Sequence, residues 1–201
     1  MLKTLVVCLL AALLQASAGA APADGQDVSV QVDRDGARFD VRFEFTVPAT
    51  VEETWKVLTD YDHMAQILST VDESTVVKRN GNRLEVAQKS HGNAGPLRVM
   101  SDSLRQVELF PYKEIRSHFL KGDLKSSEFI TRIIPEGPIT RVSGNGMVVL
   151  GALGSLTVGA DLIEAQTRSQ YRELRDEIVR RQTNEPRPAC IAAKNCPQTP
   201  G

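Results

Sequence analysis

One stretch decides the fold of this chain: RFDVRFEFTVPATVEETWKVLTDYDHM, residues 38–64. Apolar side chains alternate with polar ones over Phe39–Val47, and this period of two is typical of a half-buried strand. Pro48 ends the strand because it has no N–H group to donate to a ladder. Thr50 and Glu53 then form a capping box, which predicts a helix over residues 51–58.

The rest of the chain predicts further short strands. Alternating valines at 28–32 and the Asp35-Gly36 turn indicate a hairpin partner that precedes the first long strand. A second short helix or turn is expected at 60–67. Apolar alternation between Gly, Pro and Asn turns predicts strands at 71–78, 83–89, 97–109, 113–120, 124–134 and 139–150. The Gly-rich segment 91–96 is expected to be a loop.

A long helix follows the strands, from Ser155 or Ala160 to Arg181. Its apolar stripe, at helical spacing, consists of Ile163, Thr167, Tyr171, Leu174 and Ile178. A succession of short strands that ends in one long helix predicts an α+β fold with an antiparallel sheet of about six to eight strands.

The first 20 residues predict a secretory signal peptide. Lys3 precedes the apolar run Thr4–Leu14, and small residues follow at Ala18-Gly19-Ala20, with Ala16-Ser17-Ala18 as an earlier alternative cleavage site. The apolar run is shorter than the roughly 20 residues that a spanning helix needs. We therefore expect a signal peptide at 1–20, a leader at 21–27, one domain at 28–182 and a Pro-rich tail at 183–201, in a secreted or periplasmic protein.

Charge and cysteine content narrow the function further. Cleavage would remove Lys3, one of 24 basic residues, and none of the 25 acidic ones. Without a clustered positive patch, nucleic-acid binding is not predicted. Cys190 and Cys196 would remain, and in an oxidising compartment we expect them to form a disulfide in the tail. Two thiols without further ligands nearby are too few for a tetrahedral metal site, and no cofactor is predicted.

The order of elements is the helix-grip order, and residues 47–61 resemble the opening of the SRPBCC, or START-like, superfamily. Trp55, the following Asp60-Tyr61 and the run Gly137–Val142 resemble the coenzyme Q-binding/polyketide cyclase branch. The resemblance covers residues 39–181. It implies a bent antiparallel sheet wrapped around the long helix, with a cavity that binds lipids, quinones, sterols or polyketides. Some members of the superfamily are cyclases or hydrolases.

This chain departs from the superfamily in two respects. It carries the secretory leader, whereas many relatives are cytosolic or mitochondrial. Its late Gly-rich segment, 144–159, lacks the proline that often stands between the last strand and the helix. Because of these two departures, the resemblance implies a class of ligand and not one particular ligand.

Large apolar residues are the natural lining of a cavity for a hydrophobic ligand. The candidates are Met100, Phe119, Phe129, Met147 and Leu162; the alternative is that they fill a solid core. Glu114, Arg116 and His118 alternate along one strand, so they share a face. They are either anchors or an acid–base set inside the cavity, or the solvated outer side of the sheet.

The hypothesis taken forward is an exported protein that binds a hydrophobic small molecule, such as a quinone or lipid, without catalysis. Alternatives are a cyclase- or hydrolase-type enzyme that uses the same cavity, and an accessory structural domain without a ligand. The sequence carries no G-x-S-x-G or H-E-x-x-H motif to support a serine hydrolase or zinc protease. The apolar, Gly-rich segment Met147–Val158 is either an ordinary last strand and turn or a portal that touches a membrane transiently.

Overall fold

The computed structural model describes residues 28–94, 97–151, 154 and 158–184. The first half contains strands β1 (Ser29–Asp35) and β2 (Arg38–Val47), helix α1 (Val51–Leu58), a 3-10 turn (Tyr61–His63) and helix α2 (Met64–Ile67). The second half contains β3 (Val71–Asn80), β4 (Arg83–Ala94), β5 (Leu97–Phe110), β6 (Glu114–Gly122), β7 (Ser126–Glu136), β8 (Ile139–Val149) and the long helix α3 (Ala160–Asn184). The predicted signal peptide, the leader and residues 185–201 of the predicted tail, with both cysteines, lie outside the described residues, whereas Thr183 and Asn184 belong to α3.

The strands form one eight-stranded sheet in the order β1-β2-β8-β7-β6-β5-β4-β3. Each neighbouring pair is antiparallel, and the pairing of β2 with β8 joins the start of the domain to its last strand. This confirms the α+β helix-grip architecture. Packing of α3 against β1, β2 and α1 places the long helix across one face of the sheet.

The stretch that begins the domain folds as its pattern predicts. Side chains at Phe39, Val41, Phe43, Phe45 and Val47 are all buried, while their alternating neighbours are not. The capping box forms: the Thr50 hydroxyl accepts from the Glu53 N–H at 3.2 Å, and the Glu53 carboxylate accepts from the Thr50 N–H at 2.8 Å. The predicted bounds of α1 are confirmed, since the helix spans Val51–Leu58 and the predicted box caps its start.

The expected loop at 91–96 is mostly strand, and this prediction was wrong. Pairing of β4 with β5 continues through His91–Met100 and Gly92–Val99 to Ala94–Leu97. The glycine lacks a side chain but keeps its N–H and C=O groups, so it remains in the ladder. The result is a long hairpin of β4 and β5.

The sheet has two chemically different faces. The inner face, toward α3, carries buried side chains such as Val86, Val107, Ile115, Ile133 and Val142. The outer face carries the alternating residues, many of them charged. From α3, Leu174 and Ile178 are buried against the core, and Ile163 and Tyr171 pack on it, which confirms the predicted stripe.

Candidate functional site

A cavity of about 240 Å³ lies between the inner face of the sheet and α3. The segment from α1 to α2 forms a third wall. The lining residues are Leu58, Tyr61, Met64, Leu68, Val71, Gln88, Ser90, Arg105, Val107, Ile115, Ser117, Phe129, Thr131, Thr167, Gln170, Tyr171 and Leu174. Such a combination of apolar side chains with a few polar groups is typical of a site for a small organic molecule.

The lining is divided by chemistry as well as by element. The helical wall supplies apolar side chains, including Leu58, Met64 and Leu68, whereas the strands contribute neutral polar groups such as Ser117 and Thr131. Among the described residues of the lining, Arg105 alone carries a charge. The cavity is therefore suited to a mostly apolar ligand with a small polar part.

Arg105 lies on the inner face of β5, paired across the strands with Val86 on β4 and Phe119 on β6. Its Nε is buried and has no hydrogen-bond partner in the part of the chain that the structure describes. Burial lowers the pKa of the Arg105 guanidinium, and nearby Tyr61 and Tyr171 act in the opposite direction. The residue as a whole is half-buried, but an enclosed guanidinium nitrogen without an ionised partner is energetically costly, so Arg105 needs an explanation beyond packing.

The tyrosines beside Arg105 stay neutral. Burial raises the pKa of Tyr61 to about 12, and it raises the pKa of Tyr171 as well. At neutral pH both hydroxyls are therefore protonated and able to donate hydrogen bonds. They do not supply the negative charge that Arg105 lacks.

Two glycines on β8 shape the aromatic wall of the cavity. A Cβ at Gly144 would lie 2.3 Å from Cζ of Phe43, and one at Gly146 would lie 2.4 Å from Cδ1 of Phe129. The two rings thus lie flat over β8, where any other residue would displace them. Phe43 in turn stacks on Tyr171, with ring centroids 3.7 Å apart, and so fixes a second lining ring.

Polar contacts join the helical wall to α3. The Ser69 N–H and hydroxyl donate to the Glu173 carboxylate at 2.6 and 2.7 Å, and the Gln170 amide donates to the Thr70 hydroxyl at 2.9 Å. Further along α3, Arg181 bonds Asp60 at 2.8 Å. These links hold the cavity closed on the side where the sheet does not reach.

The apolar residues predicted from the sequence are divided between the two faces. Phe129 lines the cavity, and Phe119 lies on the inner face next to Arg105. Met147 pairs with Asp40 and Glu128 and so lies on the outer face. Met100 is 55% exposed, and Leu162 is half-buried on α3; neither contributes to the cavity lining. Ligand contact by these residues stays a prediction.

Glu114, Arg116 and His118 occupy the outer face of β6. Arg116 bonds Glu114 at 2.7 Å. His118 bonds Glu128 at 3.2 Å, and the side chains of His118 and Glu128 are both more than half exposed. Their strand neighbours Ile115 and Ser117 point into the cavity instead. The sequence left both faces open, and the structure places these polar groups on the solvated one.

Sequence reasoning missed Arg105, although a signal was present. Val107 and Leu109 belong to the inner face, and Arg105 is two residues before Val107 along the same strand. Leu104 obscured the pattern because it interrupts the alternation of apolar and polar residues. The helical residues Tyr61, Met64 and Leu68 were also missed as lining, since their approach to the sheet depends on tertiary packing.

Within the described ranges, no group of three or more His, Cys, Asp or Glu side chains is arranged to hold a metal ion. Among the described helices, none is both long and apolar enough to span a membrane.

A family model described as "polyketide cyclase / dehydrase and lipid transport" matches residues 38–179. The chain belongs to this family. The match begins at the start of β2 and ends within α3, so it includes every element that forms the cavity. No curated protein matches the chain significantly.

Several solved structures share the fold of this chain. A protein from Thermus thermophilus is 22% identical, with a TM-score of 0.62, over 71% of this chain and 98% of its own. An aromatase/cyclase from Streptomyces sp. R1128 is 15% identical, with a TM-score of 0.61, over 72% and 96%. A STAR-related lipid transfer protein from Xanthomonas axonopodis is also 15% identical, with a TM-score of 0.62, over 80% and 97%.

Proposed function

We propose that this family member is an exported binding protein that holds a hydrophobic small molecule, lipid- or quinone-like, in the cavity without chemically changing it. The observation that carries the proposal is the cavity itself. Its helical wall is apolar, and the strands across from that wall contribute neutral polar groups. The names of the structural neighbours, which include a lipid transfer protein, support the same class of ligand.

The size of the cavity limits what it encloses. At about 240 Å³ it lies below the range of roughly 300–1,000 Å³ that is usual for pockets holding drug-sized ligands. It therefore suits a ring or a medium-length chain, or the head of a longer molecule whose tail leaves through the opening. A transient membrane contact near Met147–Val158 would be one route for such a ligand.

A cyclase-type enzyme is the second candidate function, and one arrangement favours it. Arg105 can polarise a carbonyl group of a ligand, and the neutral hydroxyls of Tyr61 and Tyr171 beside it can donate hydrogen bonds to the carbonyl oxygen. The aromatase/cyclase among the neighbours has the same fold. An enzyme that uses His118 is less well supported, because His118 bonds Glu128 on the outer face of the sheet, away from the cavity.

A thermal-shift screen of fatty acids, quinones and aromatic polyketides tests the binding function. Ligands that bind only the folded state raise the melting temperature by mass action. Ser117→Phe, which fills the cavity, should abolish the shift; His118→Phe adds the same ring to the outer face and should retain it. If no hydrophobic ligand stabilises the wild type, the binding proposal fails and the structural-domain alternative replaces it.

The variant His118→Ala distinguishes the proposed binding protein from an enzyme that uses His118 as an acid or base, the alternative considered from the sequence. Under the binding proposal, the thermal shift remains because His118 does not line the cavity. Under an enzyme that depends on His118, conversion of a bound polyketide, followed by mass spectrometry, should stop. Turnover that survives His118→Ala but is lost in Arg105→Gln would instead support the cyclase centred on Arg105.

Export and the disulfide are also part of the proposal. N-terminal sequencing of the secreted protein should begin at Ala21, or at Gly19 if the earlier site is used. Alkylation without reductant should leave Cys190 and Cys196 unmodified, and replacing both with Ser should barely change the melting temperature. A cytosolic protein that retains Met1 would contradict export.

A further inference from the structure

Arg105 differs in its surroundings from the arginines of the sheet and of α3 that bond carboxylates. Arg116 and Arg132 share Glu114, and Arg168 bonds Glu164 at 2.7 Å. No carboxylate bonds Arg105 in the described part of the chain, and its Nε has no acceptor. A cation held in a cavity without a counter-charge would be stabilised by an anion beside it.

Among the described residues of the lining, none carries a negative charge that could balance Arg105. The lining residues beside the guanidinium are hydroxyl, amide or apolar, and Tyr61 and Tyr171 are uncharged at neutral pH. A carboxylate would pair with the guanidinium through two parallel hydrogen bonds, which is the geometry that arginine favours. The Ser117 hydroxyl is a further donor on the same inner face.

We infer that the ligand is a singly charged amphiphile, a medium-chain carboxylic acid or a comparable organic monoanion, that binds with its acid group against Arg105 and its apolar part along Leu58, Met64 and Leu68. This inference rests on the proposed binding function and specifies its ligand class. One cation is balanced by one negative charge, whereas a dianion would leave a charge unpaired in the cavity. A neutral hydrophobe would leave Arg105 as it is in the free protein.

Isothermal titration of the whole chain with three matched probes tests the inference. Decanoate, decan-1-ol and decyltrimethylammonium share a ten-carbon chain and differ in the charge of the head. Because losing one partner of a buried charge pair costs at least about 2 kcal/mol, decanoate should bind about 30-fold or more tightly than decan-1-ol. The cationic probe should be the weakest.

The outcomes separate this inference from the function on which it rests. If decan-1-ol binds as tightly as decanoate, the cavity binds hydrophobes without selecting for charge, and only the monoanion inference is overturned. If none of the probes binds and the wider screen also finds no ligand, the binding function fails and the inference with it. This comparison uses the wild-type protein and so does not depend on whether a variant folds.

Two variants then assign the selectivity to Arg105. Arg105→Met should remove the preference for decanoate over decan-1-ol, whereas Arg116→Met, on the outer face of the next strand, should keep it. The ligand-free Arg105→Met protein should melt no lower than the wild type, since an unpaired buried charge is lost. A clearly lower melting temperature would show that the charge is satisfied in the free protein, and would overturn the inference.

Phe119→Asp gives an independent check. Phe119 is the cross-strand partner of Arg105, so an aspartate there would supply the missing counter-charge from the chain itself. Decanoate affinity should fall by about the same factor as in Arg105→Met, while decan-1-ol binding changes little. Unchanged decanoate binding in a folded Phe119→Asp protein would contradict the proposed place of the acid group.

Discussion

Arg105 and Arg116 lie on neighbouring strands but on opposite faces of the sheet, and their surroundings differ completely. Arg116 is more than half exposed, bonds Glu114 at 2.7 Å and lies over the Phe110 ring. Arg105 faces the cavity with a buried Nε that has no partner among the described residues. On the outer face an arginine is inexpensive because water and carboxylates surround it, whereas on the inner face it reduces stability. We interpret Arg105 on the inner face as a residue that serves ligand binding rather than stability.

The largest expected effect compares adjacent positions of β6. Ile115→Ala removes an inner-face side chain that is buried and lines the cavity, and should lower the free energy of unfolding by about 2–4 kcal/mol. Arg116→Ala removes an exposed ion pair and should cost about 0–1 kcal/mol. Chemical denaturation of both variants measures the difference. Equal losses would mean that the two faces do not differ as described.

Two buried threonines sharpen the comparison, because both lie in the core and only one has a partner among the described residues. The Thr140 hydroxyl donates to the Ala49 carbonyl at 2.7 Å, so Thr140→Val should destabilise the fold by about 1–2 kcal/mol. The Thr54 hydroxyl is fully buried and has no partner in the described residues, so Thr54→Val should stabilise by about 1 kcal/mol. A loss in both variants would show that the isolated Thr54 hydroxyl is satisfied in solution.

The smallest expected effect concerns the charged residues that join α3 to the 3-10 turn. Hydrogen bonds from Arg180, and also from Arg181, lower the pKa of Glu177 to about 2. Burial acts in the opposite direction but is outweighed. A carboxyl whose folded pKa is depressed stabilises the fold above its unfolded pKa, and that stability is lost as the pH falls from about 4.5 toward 2. Glu177→Gln should therefore cost about 1 kcal/mol at pH 7, after allowance for solvent screening, and little near pH 2.

The pH dependence of that difference is the readout. Unfolding midpoints of the wild type and Glu177→Gln should converge as the pH is lowered from 7 to 2. Asp176→Asn is the control, because Asp176 lies next to Glu177 on α3 but has a largely exposed side chain. A gap between the wild type and Glu177→Gln that stays constant down to pH 2 would exclude titration of Glu177 as its cause.

Most of the fold could be predicted from local patterns. Alternation over Phe39–Val47 and the Thr50–Glu53 capping box determined the first strand and helix, because both are set by neighbours in sequence. The hairpin end at 91–94 could not be predicted, since composition favours a loop there while the ladder depends on pairing with β5. Long-range pairing overrode a local preference.

The candidate site was less predictable than the fold. Phe129 could be chosen as a lining residue by its type, but the orientation of each strand follows from register, and a shift of one residue exchanges the faces. The register of β8 places Met147 on the outer face, and the register of β6 places Glu114, Arg116 and His118 there as well. Arg105 contradicted the expectation of an apolar inner face, and exceptions of this kind are expected where a sequence serves binding rather than stability.

The methionine methyl groups test the central claim most directly. Met64 lines the cavity, whereas Met100 is exposed and Met147 lies on the outer face. In protein labelled with ¹³C at the methionine methyl groups, and assigned with single Met→Leu variants, saturating decanoate should move the Met64 resonance and leave those of Met100 and Met147 in place. Movement at Met100 or Met147 with no change at Met64 would contradict a ligand-binding cavity on the inner face of the sheet.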